Sequence, residues 1–390
     1  MKKRLKIIRV TTKPMSLSIL LKGQLKYMNN FHDMIAISSA GKELMEYEKE
    51  EGIKTISLNM TRKITPFKDI ISLIKMIKIL KKEHPDVVHS HTPKAGVISM
   101  LASALCKIPH RLHTVGGLPL MEANGIKRKI LLFVEWLTYK CATKIYPNSY
   151  GLKKFILKNI SIPKNKILVM GSGSSNGIDT DYFNRTKEVE KIALAYKKKF
   201  ALNKMFSFIF IGRFVKDKGI EELLSVFDRL SNKYKDTRLS LLGWEEKDLD
   251  PISYKAKKII VSNKKIINLG FKKDIRSYLA ASDCLVLPSY REGFPNVVLQ
   301  AGSLEVPSIV SDINGCNEII QNEDNGLLVK PKDEESLYFA MEKILLDKEF
   351  CKSLANSARK NIVKKFQKKI FYDEILAQYS KLNNRVFNKH

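Results

Sequence analysis

The 390-residue chain is long enough for two domains of ordinary size, and its 44% hydrophobic and 28% charged residues are typical of a soluble globular protein. The formal net charge of +29 suggests an anionic partner, such as nucleic acid, a phosphorylated substrate or an anionic membrane surface. Lysines lie all along the chain instead of clustering with aromatic residues, which argues against a nucleic-acid-binding module. No apolar run reaches membrane-spanning length, and the five cysteines follow no metal-ligand or disulfide pattern, so we expect a cytoplasmic protein.

Apolar runs alternate with helical patterns through the first part of the chain, which predicts βαβ units and a parallel sheet. The predicted strands are residues 5–12, 34–38, 53–58 and 87–90. The helix that begins at Thr65-Pro66 has an apolar face and many lysines. It could lie on an acidic lipid surface, but packing against the sheet is the favoured interpretation.

Two loops of the first half carry candidate binding residues. His91 and Lys94 lie where a predicted strand ends and a helix begins, a place suited to a phosphate contact, although an ordinary half-buried histidine fits equally. The Gly116-Gly117 pair permits close backbone approach to a ligand, and His113 lies just before it. The helix that follows begins with three basic residues and has a bulky apolar face. It is the best candidate for membrane contact, and a core helix is an equally good interpretation.

The Gly- and Ser-rich segment 171–183 marks the end of the first domain, and a second series of strands follows it. The predicted strand 208–211 ends at Gly212, so Arg213 and Lys218 emerge at its carboxyl end beside a helix start. Two cations at such a place suit a diphosphate, because a guanidinium binds phosphate oxygens in a bidentate manner.

The segment from Leu285 to Gln300 (LVLPSYREGFPNVVLQ) combines a buried strand, a Gly-containing loop and a helix start. Asn296 is the expected N-cap of that helix. Unpaired N–H groups of a first helical turn attract anions beyond the end of a parallel strand. Glu292 is the one carboxylate in the loop, so we expect it to contact sugar hydroxyls instead of phosphate, and Gln300 lies about one turn into the helix.

This segment resembles the signature of the family 4 retaining glycosyltransferases. In that signature a Glu is followed by a Gly-Phe-Pro or Gly-Phe-Gly loop and, after seven intervening residues, by a second Glu. Gly293, Phe294 and Pro295 match the loop, whereas Gln300 stands at the second Glu position. The resemblance covers nearly the whole chain and is more specific in its second half.

The resemblance implies an α/β protein of the GT-B fold, with two Rossmann-like domains that face a central cleft. The expected domains are an acceptor-binding domain at 1–185, a nucleotide-sugar-binding domain at 186–366, and a C-terminal helix at 367–390 that crosses back to the first domain. The implied activity is retaining transfer of a sugar from a nucleotide-sugar, a UDP-sugar above all, to a polyprenyl-diphosphate-linked sugar in surface polysaccharide or glycan assembly. The implied place is the inner face of the plasma membrane, as a peripheral protein.

The resemblance also assigns roles to individual residues. Glu292, Arg213 and Lys218 would be catalytic, the two cations stabilising the leaving diphosphate so that no metal or other cofactor is expected. The expected donor-binding residues are Gly212, Phe271, Gly293, Phe294, Pro295, Asn296, Gln300 and Gly315. The expected acceptor-binding residues are His91, Lys94, His113, Gly116 and Gly117.

The chain departs from the family at two further positions. Gly116 stands where many members have a His that orients the acceptor. Glu305 stands where relatives often have Gly after a helix, so either a positive φ costs about 1 kcal/mol there or the helix ends differently. Two alternative functions stay open: another nucleotide-sugar enzyme on the same fold, of the epimerase or phosphorylase type, and a basic nucleic-acid-binding protein.

Overall fold

The computed structural model describes residues 4–61, 65–246 and 250–387, with side chains described as far as residue 382. The chain forms two compact units. The first comprises Met1–Gly177 and Lys368–His390, and the second comprises Ile178–Gln367. The last residues of the C-terminal segment predicted at 367–390, beyond residue 387, lie outside the described residues.

Within its described residues, the first unit contains a parallel sheet of six strands in the order β3-β2-β1-β4-β5-β6. The strands are β1 Lys6–Val10, β2 Asp33–Ser38, β3 Lys54–Ser57, β4 Val87–His91, β5 His110–Val115 and β6 Lys144–Pro147. The helices up to the end of its first segment are α1 Pro14–Leu20, α2 Gln24–Asn29, α3 Lys42–Glu51, α4 Pro66–Glu83, α5 Pro93–Leu105, α6 Gly125–Cys141 and α7 Tyr150–Asn159. Successive side chains of a strand point to opposite faces, so Ile7 and Ile8 enter separate apolar clusters on the two sides of this sheet.

The described part of the second unit contains another parallel sheet of six strands, in the order β12-β11-β10-β7-β8-β9. The strands are β7 Phe206–Ile211, β8 Thr237–Leu242, β9 Ile266–Gly270, β10 Cys284–Leu287, β11 Ser308–Ser311 and β12 Gly326–Val329. The helices are α8 Lys187–Lys199, α9 Ile220–Lys233, α10 Tyr254–Ser262, α11 Arg276–Ala280, α12 Asn296–Ser303, α13 Cys316–Ile319, α14 Glu334–Leu346 and α15 Lys348–Phe366. Both sheets have the doubly wound order of Rossmann-like domains, which confirms the predicted α/β class.

The last helix, α16 Lys368–Phe387, belongs to the first unit. Its Phe371, Tyr372, Ile375 and Tyr379 are buried in the apolar cluster that also holds Ile7. Thr65-Pro66 starts α4 as the sequence predicts, with Pro66 as the first helical residue. None of the helices within the described ranges is long and apolar enough to cross a membrane.

Candidate active site

The strands β7 and β10 are neighbours, and chain order reverses between them. In open α/β sheets such a reversal opens a crevice beyond the carboxyl ends of the strands, and ligands bind there. Arg213 and Lys218 follow β7, and Glu292 lies on the loop after β10. The sequence-predicted catalytic residues therefore lie at the switch point of the second unit.

The Glu292 carboxylate is held on two sides by polar side chains. Lys218 Nζ lies 2.5 Å from Glu292 Oε1, and the Ser289 hydroxyl donates to the same oxygen at 2.9 Å. The Glu292 backbone carbonyl accepts a hydrogen bond from Asn314 Nδ2 at 2.6 Å. The Lys218 and Glu292 side chains are 19% and 13% exposed, so the pair lies just below the surface with a fixed geometry.

Two glycines bring the loops around this pair together. A Cβ on Gly219 would lie 2.0 Å from the Pro288 carbonyl oxygen, and one on Gly315 would lie 2.2 Å from the Gly293 carbonyl oxygen. Both glycines have positive φ, 65° and 79°, which other residues adopt at a cost. Gly315 therefore places the loop after β11 directly against the loop that carries Glu292.

Each predicted diphosphate cation has a carboxylate partner in the structure. Lys218 meets Glu292, and Arg213 forms an ion pair with Glu246, in which the side chains are 34% and 18% exposed. Next to them, Arg291 forms an ion pair with Asp217. Sequence reasoning missed Glu246, although it lies three residues after Gly243, which follows β8, and β8 is the neighbour of β7.

The helix α12 departs from the expectation at its first residue. The sequence predicts Asn296 as N-cap, but this is wrong: Pro295 has the extended cap backbone, and Asn296 is the first helical residue. No side chain caps this end, so the amides of its first turn keep the anion-binding character that the sequence suggests. Phe294 is buried and its ring packs 5.5 Å from that of Phe366, while Gln300 is half-buried within the helix.

Phe271, predicted to bind the donor, follows β9 and is 63% exposed. Its ring lies edge-to-face with that of Trp244, at a centroid distance of 5.4 Å. Sequence reasoning missed Trp244, which follows β8 at the corresponding place and is 40% exposed. The signal was present in the sequence, because both aromatic residues come directly after a Gly that ends an apolar run.

The two predicted acceptor histidines are buried within strands of the first unit. His91 Nε2 accepts a hydrogen bond from Arg9 Nε at 3.1 Å, and His113 Nδ1 lies 2.8 Å from the Ser90 hydroxyl. Burial lowers the pKa of His91 well below its usual value, with nearby Arg9 adding to the effect, and lowers that of His113 to about 4. Both rings are therefore neutral at pH 7 and form part of the internal polar network.

Arg9 was also missed by sequence reasoning, although it is a charged residue between the apolar residues Ile8 and Val10 of β1. Its guanidinium is fully buried and donates to three neutral groups. The acceptors besides His91 are the Tyr379 hydroxyl at 2.6 Å and Gln24 Oε1 at 2.5 Å. The same Tyr379 hydroxyl lies 2.8 Å from His89 Nδ1, so one hydroxyl on α16 joins this network to β1 and β4.

The other acceptor candidates lie nearer the surface. Lys94 is half-buried and forms an ion pair with Asp69 on α4. Gly116 is exposed, and its carbonyl accepts a hydrogen bond from Asn148 Nδ2 at 3.3 Å. Gly117 has a φ of 151°, a backbone conformation that glycine adopts more readily than other residues. The Gly116-Gly117 loop is thus the part of the predicted acceptor set that an outside ligand reaches directly.

Metal ligands were not expected from the sequence. Over the described residues, no group of three or more His, Cys, Asp or Glu side chains is arranged to hold a metal ion.

Comparison with known proteins gives consistent matches in both halves of the chain. Residues 194–361 match the family described as Glycosyl transferases group 1, and residues 17–149 match the family described as Glycosyl transferase 4-like. The chain is 33% identical over 381 residues to the capsular polysaccharide biosynthesis glycosyltransferase CapM of Staphylococcus aureus, covering 97% of each chain. It is 31% identical over 319 residues to the UDP-Gal:alpha-D-GlcNAc-diphosphoundecaprenol alpha-1,3-galactosyltransferase of Escherichia coli, covering 79% of this chain and 78% of the relative.

Among solved structures, the fold is similar to that of Anabaena HepE, crystallised in complex with UDP. The TM-score is 0.81 at 16% sequence identity, and the match covers 97% of this chain and 100% of HepE.

Proposed function

The chain belongs to the group 1 (family 4) glycosyltransferases with a GT-B fold, and we propose that it transfers a sugar from a UDP-sugar to a polyprenyl-diphosphate-linked sugar, with retention of configuration. The product would be a growing surface polysaccharide. The names of its relatives support this: one acts in capsule biosynthesis, and one uses UDP-Gal and a diphosphoundecaprenol-linked acceptor. The observation that carries the proposal is the pairing of Lys218 with Glu292 at the switch point, since it joins the cation proposed for the diphosphate to the carboxylate proposed for the donor sugar.

In the proposed reaction the bond between the anomeric carbon and the donor diphosphate breaks. The acceptor hydroxyl oxygen forms the new bond, and its proton leaves with the diphosphate. Charge grows on the diphosphate as the bond breaks, and Arg213 and Lys218 lie where they would neutralise it. The uncapped first turn of α12 would add backbone N–H groups to the same anion.

Glu292 would orient the donor sugar by accepting hydrogen bonds from its hydroxyls, since Lys218 and Ser289 hold its carboxylate in place. Gln300 would accept from the ribose through its amide oxygen, without the charge assistance of the Glu found in relatives. Gln300→Glu is therefore expected to tighten UDP binding.

Transfer assays with a panel of UDP- and GDP-sugars, with and without a short polyprenyl-diphosphate sugar, test the proposal. We expect transfer only when the lipid is present. Glu292→Ala should abolish it with the fold intact, whereas Glu323→Ala, which removes a surface carboxylate paired with Lys343, should leave it unchanged. Unchanged turnover in Glu292→Ala would refute the role of Glu292. Product formed from the donor without any lipid would favour an epimerase or phosphorylase instead.

We also propose that the enzyme rests on an anionic membrane through one face of the first unit. The helices α4 and α6 flank α5, and all three follow strands of one parallel sheet, so they begin at the same edge. Large apolar side chains near both helix starts are exposed: Phe67, Ile70, Ile71 and Ile74 on α4, and Ile126, Ile130 and Phe133 on α6. We call this set the α4–α6 face.

Lysines accompany the apolar side chains of the α4–α6 face. Lys68 and Lys75 on α4 and Lys127 and Lys129 on α6 are exposed among them. Apolar side chains inserted at the lipid interface, with cations at the headgroups, are the two components of binding to an anionic bilayer. The enzyme would then meet a lipid-linked acceptor at the membrane surface in which that acceptor is anchored.

Vesicle sedimentation tests this surface. Wild type should bind vesicles that contain phosphatidylglycerol more strongly than pure phosphatidylcholine, and high salt should weaken the binding. The double variant Phe67→Ser/Ile71→Ser should lose most of the binding. The matched control is Val261→Ser, which removes an equally exposed apolar side chain in the second unit. Equal binding by the double variant and wild type would refute the proposal, and a monomer produced from a wild-type dimer would identify the face as a contact between copies.

A further inference from the structure

Three neighbouring strands of the second unit end in the same way, with a glycine followed by a large side chain. These pairs are Gly212-Arg213 after β7, Gly243-Trp244 after β8, and Gly270-Phe271 at the end of β9. The sheet order β7-β8-β9 therefore places a guanidinium and two aromatic rings in sequence along one edge. Adjacent strands are about 4.8 Å apart, so the three side chains begin within a span of about 10 Å.

The glycines keep these strand ends close together. A Cβ on Gly243, whose φ is 151°, would lie 1.7 Å from the Gly212 carbonyl oxygen. Gly243 N donates to the Gly270 carbonyl at 3.1 Å, and Phe214 N donates to the Trp244 carbonyl at 2.8 Å. The Gly243-Trp244 backbone is thus bonded to both neighbouring strand ends, through Gly243 to the end of β9 and through Trp244 to the segment after β7, so the indole is carried on a rigid support.

The indole and the phenyl ring form a partly exposed aromatic corner. Trp244 is 40% and Phe271 63% exposed, and their ring planes are 80° apart. In an edge-to-face pair, one ring presents its edge to the other, so the two large ring faces are not both used by the contact. Single exposed aromatic residues are common, but two in contact beside a phosphate-binding cation form a surface suited to a flat ring.

The order of these groups matches the order of groups in a nucleotide. Arg213 and Lys218 both follow β7, and Glu292 follows the neighbouring β10, where the proposed function puts the diphosphate and the sugar. The aromatic corner lies one and two strands further from Glu292, on the side away from β10. Resting on that proposed function, we propose that Trp244 is the stacking platform for the donor nucleobase, with its indole supported by the edge-to-face contact with Phe271.

Stacking on an aromatic side chain contributes about 1–3 kcal/mol per base, which corresponds to about 5- to 150-fold in affinity. Trp244→Ala should therefore weaken binding of UDP, or of GDP if wild type prefers it, by about tenfold. Its binding of pyrophosphate should not change, because that ligand has no base. Arg213→Gln is the matched control, since it should weaken both the nucleotide and pyrophosphate.

The chain contains two tryptophans, Trp136 and Trp244, so fluorescence can observe the platform directly. In Trp136→Phe the single indole is Trp244, and nucleotide titration should change its emission with the dissociation constant found by calorimetry. In Trp244→Phe the remaining indole is Trp136 on α6, and the same titration should leave its emission unchanged.

The outcomes separate the two proposals. If wild type binds a nucleotide but Trp244→Ala binds it equally well and the Trp244 emission does not respond, the platform is refuted and the proposed function stands. If calorimetry finds no binding of UDP, GDP or their sugars to wild type, the proposed function fails and the platform fails with it. The unfolding temperature of each variant is measured as a control. If it equals that of wild type, a lost signal reports a loss of binding and not a loss of folding.

Discussion

At the scale of single residues, Arg213, which we propose to bind the donor diphosphate, is held by a carboxylate in the structure. Its guanidinium forms an ion pair with Glu246, and both side chains are partly exposed. Ion pairs of this exposure contribute little to stability, about 0.2–1 kcal/mol, because water screens them. The diphosphate of the proposed donor brings more charge than one carboxylate, so we expect it to displace Glu246 from Arg213 at small cost.

Glu246→Gln is therefore expected to tighten binding of UDP by about threefold. The variant loses the ion pair that competes with UDP for Arg213, and such a pair contributes less than about 1 kcal/mol. Calorimetry with UDP measures the change. Glu323→Gln removes the carboxylate of an exposed pair with Lys343, elsewhere in the same unit, and should leave the affinity unaltered. Weaker binding by Glu246→Gln would mean that Glu246 itself holds the nucleotide.

Residue by residue, the sequence was most informative where a strand end fixes the direction of a side chain. Lys218 and Glu292 could be placed together because they follow strands that the alternating pattern predicts to be parallel. The pairing of Arg213 with Glu246 could not be predicted, since it depends on how the segment after β8 turns back. Burial of His91 and His113 was also beyond the sequence, because Arg9 and Ser90, their partners, are distant along the chain.

At the scale of elements, the end of α12 shows which of the two alternatives at Glu305 holds: the residue adopts a positive φ. The helix ends at Ser303, and Glu305 adopts a φ of 59°. Glu305 N donates to the Gly302 carbonyl at 3.1 Å, and Val306 N donates to the Ala301 carbonyl at 3.0 Å, which closes the helix end. The Glu305 carboxylate lies 4.0 Å from Arg185 and 3.9 Å from Arg359, so weak ion pairs partly offset the strain.

Glu305→Gly should accordingly be more stable than Glu305→Ala by about 1 kcal/mol, because both lose the ion pairs and only glycine relieves the left-handed backbone. Urea unfolding measures the difference. Trp244 reports on the second unit alone when the comparison is made in the Trp136→Phe background. Equal stability of the two variants would show that the backbone at this position relaxes when the side chain is removed.

The same helix shows why its start was misassigned. Asn is a favoured N-cap and Pro a favoured first residue, and the sequence offers them in the order Pro-Asn. Pro295 has φ −76° and ψ 104°, the extended backbone typical of an N-cap residue. Pro295 is therefore the N-cap, and Asn296 is the first residue of the helix. Residue preferences in the sequence predict the region in which α12 starts. The exact first residue also depends on the backbone of the preceding loop, which packs against Gly315.

At the scale of the whole molecule, the first unit contains buried groups whose effects on acid stability oppose one another. Burial lowers the pKa of His89, His91 and His113. These rings stay neutral in the fold but take up protons when unfolded, so the stability they provide is present above pH 6.5 and is lost as pH falls below it. For His113, with a pKa of about 4, the loss continues to about pH 4.

Glu135 on α6 acts in the opposite direction. Burial raises its pKa to about 7, so between pH 4.5 and 7 it is protonated in the fold and ionised when unfolded. Stability from this group is therefore present at low pH and is lost as pH rises through 7. Glu135→Gln should stabilise the protein by up to about 3 kcal/mol at pH 8 and by little at pH 4.5.

Urea unfolding of wild type and Glu135→Gln at both pH values measures the effect. Glu46→Gln, which changes an exposed carboxylate on α3 of the same unit, should show no such pH dependence. A constant difference between Glu135→Gln and wild type at both pH values would contradict a titration within this range.

The fold class could be predicted from the sequence because apolar runs recur at the spacing of βαβ units in both halves of the chain. The buried network of Arg9, His89 and Tyr379 was not, because it joins residues that are 290 and 370 positions apart along the chain. Such a network depends on the return of α16 to the first unit, a feature of chain topology instead of local pattern.

That return also determines an order of events during protein synthesis. Ile178 N donates to the Phe366 carbonyl at 2.8 Å, and Ile178 bridges to Gln367, so both ends of the second unit are joined to each other. The second unit therefore has its complete sequence once residue 367 has left the ribosome. The first unit starts earlier but must wait for α16, because Arg9 and the apolar side chains around Ile7 lack Tyr379 and Phe371 until then. The half of the protein that is translated first is thus the half that matures last, because the first unit lacks its last helix until the whole of the second unit has been synthesised.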